Sequence, residues 1–407
     1  MKVALLSDCF LPRLGGIEVQ VHDLADHLIR AGHQVEVFTA TPGQDGERDG
    51  SVDVVDGIRV HRMAIRLPFE LPVNPFAPPE VRRRLAAGRF DVAHVHMGVV
   101  SPFATDMVRV TLGLGLPTAV TWHCVIDRSA PLFRALGQAR RWSRAGAALT
   151  AVSTMAATRV SAVAGGAPVD VLPNGIDTRL WAPPEDDART RAGREGHAST
   201  TGGARLSSPS PEGQLRLRPV RVVSALRLAR RKRPQAILEV LRAARELVPP
   251  EIAMEAVIVG EGPQRPLLER FLERQGMTEW VRLPGRVTRE ELRQIHWSSD
   301  VYVCAATLEA FGIAALEART AGLPVVARAG TGVQDFVEDG VSGLVAATDR
   351  EMAVATARLV RDHALRARLG AHNRHTPPAH DWAVVVRRAE AEYARARRQR
   401  AQLEVSP

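Results

Sequence analysis

Cysteine is scarce in this chain: Cys9, Cys124 and Cys304 are the only three among 407 residues, far apart and without paired spacing. That distribution excludes a disulfide framework and a zinc knuckle, and leaves reduced, mostly buried thiols as the expectation. Aromatic residues make up only 4%, too few for the stacking platforms of single-strand nucleic-acid binders. No apolar run exceeds strand length, and the N-terminus, Met1-Lys-Val-Ala-Leu-Leu-Ser7, lacks the apolar core and cleavage site of a signal peptide. A cytoplasmic protein without a membrane span is the expectation. Asp-x-Asp, the pair that often holds a divalent metal against a diphosphate, occurs nowhere. No metal and no resident cofactor is expected.

The length suits two domains of moderate size, and 45% hydrophobic with 24% charged residues is a globular composition. A net charge of +9 would attract nucleic acid, an anionic membrane face or phosphorylated substrates without choosing among them. Apolar runs alternate with helical patterns from the start. Val3 to Ser7 reads as a strand, Ile17, Val21, Leu24, Ala25 and Leu28 mark one helix face, and Gln34 to Thr39 reads as the next strand. Further strands are predicted at 91–95, 118–121, 149–152 and 169–172. After Pro173-Asn-Gly-Ile-Asp177, residues 183–219 are rich in Pro, Gly, Ser, Thr and Arg and cannot bury a core. The alternation then restarts, with strands predicted at 220–224, 256–259, 281–283, 301–303 and 324–327. The fold expected is α/β: two Rossmann-like domains, 1–174 and 220–375, facing across a cleft. The 183–219 stretch joins them as a flexible linker or insertion. A last helix over 380–402 is expected to pack back on the first domain.

Glu309-Ala-Phe-Gly-Ile-Ala-Ala-Leu-Glu317 carries the densest chemistry. It follows a strand, has Gly312 where a tight turn needs it, and opens a helix at Ile313. The amides of Gly312 and Ile313 suit phosphate oxygens, and both carboxylates can accept from sugar hydroxyls. The plain alternative for Glu317 is a solvated residue near a helix start. Gly15-Gly16, between the first strand and helix, is not Gly-x-Gly-x-x-Gly, so it reads as a turn or as a backbone approach to phosphate. His94 and His96 share one face at a strand end, and His123 follows another strand. A sugar-contacting His123 is favoured over zinc. Arg227, Arg230, Arg231, Lys232 and Arg233 cluster after a strand, where two fixed cations would neutralise a departing diphosphate.

Together these motifs resemble the retaining glycosyltransferases of family 4, with the two-Rossmann GT-B architecture. The resemblance rests on Pro12-x-x-Gly-Gly-x-Glu18, Asp91-Val-Ala-His-Val-His96, Thr121-Trp-His123, Ala151-Val-Ser153, Pro173-Asn-Gly-Ile-Asp177, Arg227 to Lys232, Val259-Gly-Glu-Gly-Pro263 and Glu309 to Glu317. It implies a hexose-type sugar moved with retention from a nucleoside diphosphate sugar, the co-substrate, without metal. It implies that the Gly15-Gly16 loop, through the Gly16 amide, meets the donor diphosphate and that Arg227 and Lys232 clamp it. His123 would touch the transferred sugar, Glu309 its hydroxyls, Glu317 the ribose, Gly312 and Ile313 the phosphates, and Arg286-Val287 the base. Two departures stand out: Leu226 replaces the glycine many relatives carry before the arginine, and the insertion near 185–218 is long. Ser7-Asp-x-Phe-x-Pro12 is similar to members acting on inositol phospholipids, so the acceptor is expected to be a sugar, a lipid-linked or an inositol-type molecule. Arg82 to Arg84 and Leu132 to Trp142 could rest on the inner face of an anionic membrane, and the plain alternative is solvated arginines on a core helix. The rival functions are a sugar-nucleotide epimerase or phosphorylase on the same fold, and a non-catalytic basic nucleic-acid-binding protein.

Overall fold

The structure is a computed structural model that describes residues 1–13, 15–66, 71–127, 130–184 and 218–405. All but the two ends of the expected 183–219 insertion lies outside the described residues. Two compact units emerge: Met1–Ile176 with Glu309–Ile313 and Ala379–Pro407, and Asp177–Leu308 with Ala314–Pro378.

The first unit is built on strands β1 (Lys2–Ser7), β2 (Gln34–Thr39), β3 (Ser51–Val55), β4 (Ile58–Arg62), β5 (Val92–Met97), β6 (Thr118–Trp122), β7 (Ala148–Ala151) and β8 (Asp170–Val171), in the order β3-β4-β2-β1-β5-β6-β7-β8. All neighbours run parallel except β3 and β4. Every residue of β5 and β6 is buried, as in a sheet covered on both faces. The antiparallel β3–β4 hairpin lies outside the strands predicted from the sequence. Its turn is Asp56-Gly57, with φ of 50° and 82°, the backbone that a two-residue hairpin loop requires. The helix Trp382–Val405 adds Trp382, Val385, Val386, Ala389, Tyr393 and Ala396 to the core cluster of Val3, Leu5 and Leu28. At about 1.5–3 kcal/mol per large buried apolar side chain, this helix contributes stabilisation comparable to the net stability of a whole domain.

The second unit has β9 (Val220–Ala225), β10 (Met254–Val259), β11 (Val281–Gly285), β12 (Val301–Cys304), β13 (Val325–Arg328) and β14 (Gly343–Ala346), in the order β11-β10-β9-β12-β13-β14. All pairs are parallel. Both sheets are doubly wound. The chain order reverses between β1 and β5 in one and between β9 and β12 in the other, which is where open α/β sheets leave a crevice at the strand carboxyl ends. Among the described residues, no helix is long and apolar enough to cross a membrane.

Candidate functional site

In the second unit, β9 ends at Ala225 and the chain passes through Leu226-Arg227-Leu228 into a 3-10 turn, Arg230–Lys232, before the helix Pro234–Glu246. Arg227 is exposed and its guanidinium has no protein partner among the described residues, while Lys232 is half-buried. This segment is held from beside. Leu226 N–H donates to Val259 O (3.0 Å), and Leu228 N–H to Glu261 O (2.9 Å). Leu228 is fully buried and Leu226 packs against the same core, so the bulky residue in the glycine position turns its side chain inward. The left-handed backbone falls instead on Arg233 (φ 55°), whose fork binds Ala305 O (3.0 Å) and Asp349 (2.5 and 3.1 Å).

The Val259-Gly-Glu-Gly-Pro263 motif now has a physical reason. A Cβ on Gly260 (φ 134°) would lie 1.8 Å from Leu226 O, and one on Gly262 would lie 2.5 Å from Leu228 O. Gly260→Ala is therefore expected to destabilise the second unit by roughly 3 kcal/mol or more, strain and clash together. Gly276, at φ 60° with open space around it, is the control. Its alanine variant should cost only about 1 kcal/mol in the same urea titration. Equal costs would show that the close approach is not real.

The Glu309–Glu317 motif straddles the division of the chain, with Glu309–Ile313 in the first unit and Ala314 onward in the second. Gly312 has φ 94°, a turn that glycine alone enters freely, and the helix Ile313–Thr320 starts on the next residue. Glu309, Ile313 and Glu317 are half-buried. Gly16 and Ile313 are brought together: a Cβ on Gly16 would touch Ile313 Cδ1 at 3.7 Å. Gly15 caps the helix Gly16–Arg30, and the Glu18 carboxylate folds over it, 2.4 Å from where a Cβ would stand. Arg286 is exposed and Val287 half-buried just beyond β11, between Gly285 and the Thr288 cap of the next helix.

At the ends of β5 and β6 lie the three histidines. Hydrogen-bond direction fixes the proton on His94. Thr150 Oγ1 donates to Val120 O (3.1 Å), so it accepts from Thr121 Oγ1 (2.6 Å). Thr121 Oγ1 accepts in turn from His94 Nε2–H (2.7 Å), and His94 Nδ1 accepts from the Tyr393 hydroxyl (3.0 Å). His96 Nδ1 and His123 Nε2 are 2.9 Å apart. Burial disfavours the imidazolium, pushing His94 down to about 3 and His123 to about 4, with His96 well below its ordinary value. All three are neutral at pH 7.

Asp8, at the carboxyl end of β1, accepts from Phe103 N–H (3.0 Å) at the start of the helix Pro102–Gly113, and burial pushes its carboxyl up to about 7. Sequence reasoning passed over Tyr393 and Gln20, whose amide grips Gly175 with both ends at 2.9 and 3.0 Å. Asn174 belongs to the Pro173–Asp177 motif, yet its bond to His123 depends on the fold and has no signal in the sequence.

Two family models cover most of the chain: Glycosyltransferase Family 4 matches residues 14–180, and Glycosyl transferases group 1 matches residues 211–376. The chain is 26% identical over 354 residues to the D-inositol 3-phosphate glycosyltransferase of Pseudarthrobacter chlorophenolicus, covering 81% of this chain and 78% of that protein. It is 29% identical to a GDP-mannose-dependent alpha-(1-6)-phosphatidylinositol monomannoside mannosyltransferase of Mycolicibacterium smegmatis, covering 91% of this chain and 92% of that protein. Among solved structures, Anabaena Alr3699/HepE in complex with UDP superposes with a TM-score of 0.71 at 19% identity, covering 97% of this chain and all of that one. Strand order, strand-end loops and both family models agree, and the chain belongs to the family 4 glycosyltransferases of GT-B architecture.

Proposed function

We propose that the chain is a metal-independent, retaining transferase that moves a hexose-type sugar from a nucleoside diphosphate sugar to an inositol-type or lipid-linked acceptor. The observation that carries this reading is the Arg227–Lys232 turn, with a guanidinium that has no protein partner among the described residues and an ammonium close by in sequence, at the switch point of the second sheet. Departure of a nucleoside diphosphate develops charge on its terminal phosphate, which such fixed cations stabilise more than they stabilise the ground state. Lysine is rare enough to be informative: Lys2 and Lys232 are the only two in the chain. Glu309 is assigned to the sugar hydroxyls, Glu317 to the ribose, and the Gly312, Ile313 and Gly16 amides to the phosphates. Gly15 shapes that loop, Arg286-Val287 meets the base, and His123 faces the sugar. In the front-face displacement the anomeric carbon–oxygen bond to the diphosphate breaks as the acceptor oxygen bonds on the same face. The acceptor's proton passes to the leaving phosphate, so no protein nucleophile is required.

An inositol-type acceptor is supported by the names of the two relatives above. The helices Ala130–Leu136 and Gln138–Arg144 bury Phe133 and Trp142 and expose Arg134, Arg140, Arg141, Arg144 and Leu136, a basic surface suited to anionic headgroups. Arg83 and Arg84 are less available, since both pair with Glu80.

The test is a panel of sugar nucleotides offered with inositol phosphate or with phosphatidylinositol vesicles. Transfer with the donor's own anomeric configuration, unchanged by EDTA, is the expected result. An inverted product or a metal requirement would remove that part of the proposal, and free epimerised sugar or phosphate-dependent turnover would favour the epimerase or phosphorylase reading. Equal, negligible sedimentation with anionic and neutral vesicles would remove the membrane contact.

A further inference from the structure

The His96–His123 pair leaves a hydrogen-bonding remainder that the reaction as proposed does not use. His123 Nε2 is committed to His96 Nδ1, at 2.9 Å. The Asn174 side chain also bonds the His123 ring. A proton on His96 Nε2 would leave a buried N–H with no acceptor among the described residues, the costlier of the two orphans, so the His96 proton sits on Nδ1, between the rings. It follows that His123 Nε2 carries a lone pair. His96 Nε2 is then a bare acceptor. It is buried, with no hydrogen-bond partner among the described residues. Beside it lies a cavity of about 20 Å³ lined by His94, His96, His123, Gln20 and Asn174, among others. That volume holds one water and little else, and the wall is polar enough to keep it.

We propose that His96 is a positioning residue: its Nδ1–H holds His123 as the Nδ1–H tautomer, and one bound water donating to His96 Nε2 completes the pair. The role for His96 rests on the reading of His123 as a sugar-facing group. It adds a direction to that reading. With Nε2 tied to His96, His123 can meet a sugar only as a donor, through Nδ1–H, and a hydroxyl oxygen reaching the ring takes the place of the Asn174 side chain. His94, its ring centroid 4.1 Å from that of His96 at a 37° tilt and its Nε2–H on Thr121, sits in the opposite tautomer. Adjacent rings thus differ in a way that spectroscopy can read.

The experiment uses the full chain labelled with nitrogen-15 histidine. The signals of His96 and His123 are identified among the 13 histidines by their loss in His96→Asn and His123→Gln. Nδ1–H patterns for His96 and His123, and Nε2–H for His94, are expected. Asparagine places an N–H near the former Nδ1, so His96→Asn should keep the His123 pattern and stay within about threefold of wild-type kcat. His96→Leu removes the donor, should release His123 to the Nε2–H form, and should lower kcat by at least about 10-fold with little change in donor KM. An Nε2–H pattern for His123 in the wild-type chain overturns the proposal, whether or not any sugar is transferred. A folded His96→Leu with unchanged kcat and unchanged His123 pattern overturns it too. The expected tautomers in a chain that transfers no sugar would support the pair itself and sink the functional reading instead.

Discussion

Lys232→Ala and Arg227→Ala are each expected to lower kcat/KM by about 10²–10³-fold while leaving the unfolding midpoint within a degree or two. The magnitude follows from what a preorganised charge supplies to a departing diphosphate: removing one group aimed at developing charge costs about 3–4 kcal/mol of barrier. The stability side follows from exposure. Arg227 is exposed without a protein partner among the described residues, so its removal leaves no buried orphan. The turn itself is held by backbone bonds to Val259 and Glu261 and by the Arg233–Asp349 pair, none of which either variant touches. Lys232→Arg keeps the charge but replaces a compact ammonium with a planar fork, and should recover only part of the loss. Steady-state kinetics with thermal unfolding decides the matter. If both alanine variants turned over at the wild-type rate, the cationic turn would not be the diphosphate clamp.

Acidification from pH 7 to pH 5 should destabilise the first unit by about 3 kcal/mol and the second by about 2 kcal/mol. His94, His96 and His123 in the first unit, and His296 in the second, all have folded-state values depressed by burial, with His296 near 3. Below about 6.5 the unfolded chain takes up protons that the folded chain refuses, so stability falls with pH by about 1.9 kcal/mol per histidine over this interval. Asp8 works against this. Its folded value is raised to about 7, so the folded state binds the extra proton and gains about 2 kcal/mol over the same two pH units. From these four groups the first unit loses three histidine contributions less one aspartate; His61, also depressed by burial, adds to the loss, and His22, raised by its hydrogen bond to Asp23, offsets it. Asp8→Asn, which keeps an oxygen for Phe103 N–H, should deepen its acid loss to about 5–6 kcal/mol. His296→Leu should flatten the second unit's response, because His296 has no partner at either nitrogen among the described residues. Hydrogen exchange resolved by unit reads the two separately. A first unit that was equally stable at both pH values would mean that the histidine cluster is hydrated or charged.

These buried groups also mark where the sequence stops being readable. The parallel strands were legible because a strand buried on both faces must be a short, continuous apolar run, and Val301-Tyr-Val303 or Val92-Ala-His-Val95 can hardly be anything else. The β3–β4 hairpin carries its own turn signal, Val-Val-Asp-Gly-Ile, but Val52 and Val54 point to solvent, so its strands lack the apolar pattern of a core strand. The cations of the Arg227 turn are neighbours in sequence, so their clustering needs no fold. What immobilises them does: Gly260 and Gly262 press on Leu226 and Leu228 only once β9 and β10 pair in register. The bond from Tyr393 to His94 spans 299 residues, and neither residue type implies the other.

The helix Trp382–Val405 completes the core of the first unit, and this sets an order of events during synthesis. The first unit's sheet is translated within the first 171 residues, yet the side chains that seal one face of it emerge more than two hundred residues later. The second unit, by contrast, has its last segment by Pro378. On a ribosome adding roughly 5–20 residues per second, the N-terminal half waits on the order of ten seconds or more with Val3, Leu5 and Leu28 incompletely covered. The first unit, although N-terminal, thus has its full core in hand only after every segment of the second has been made.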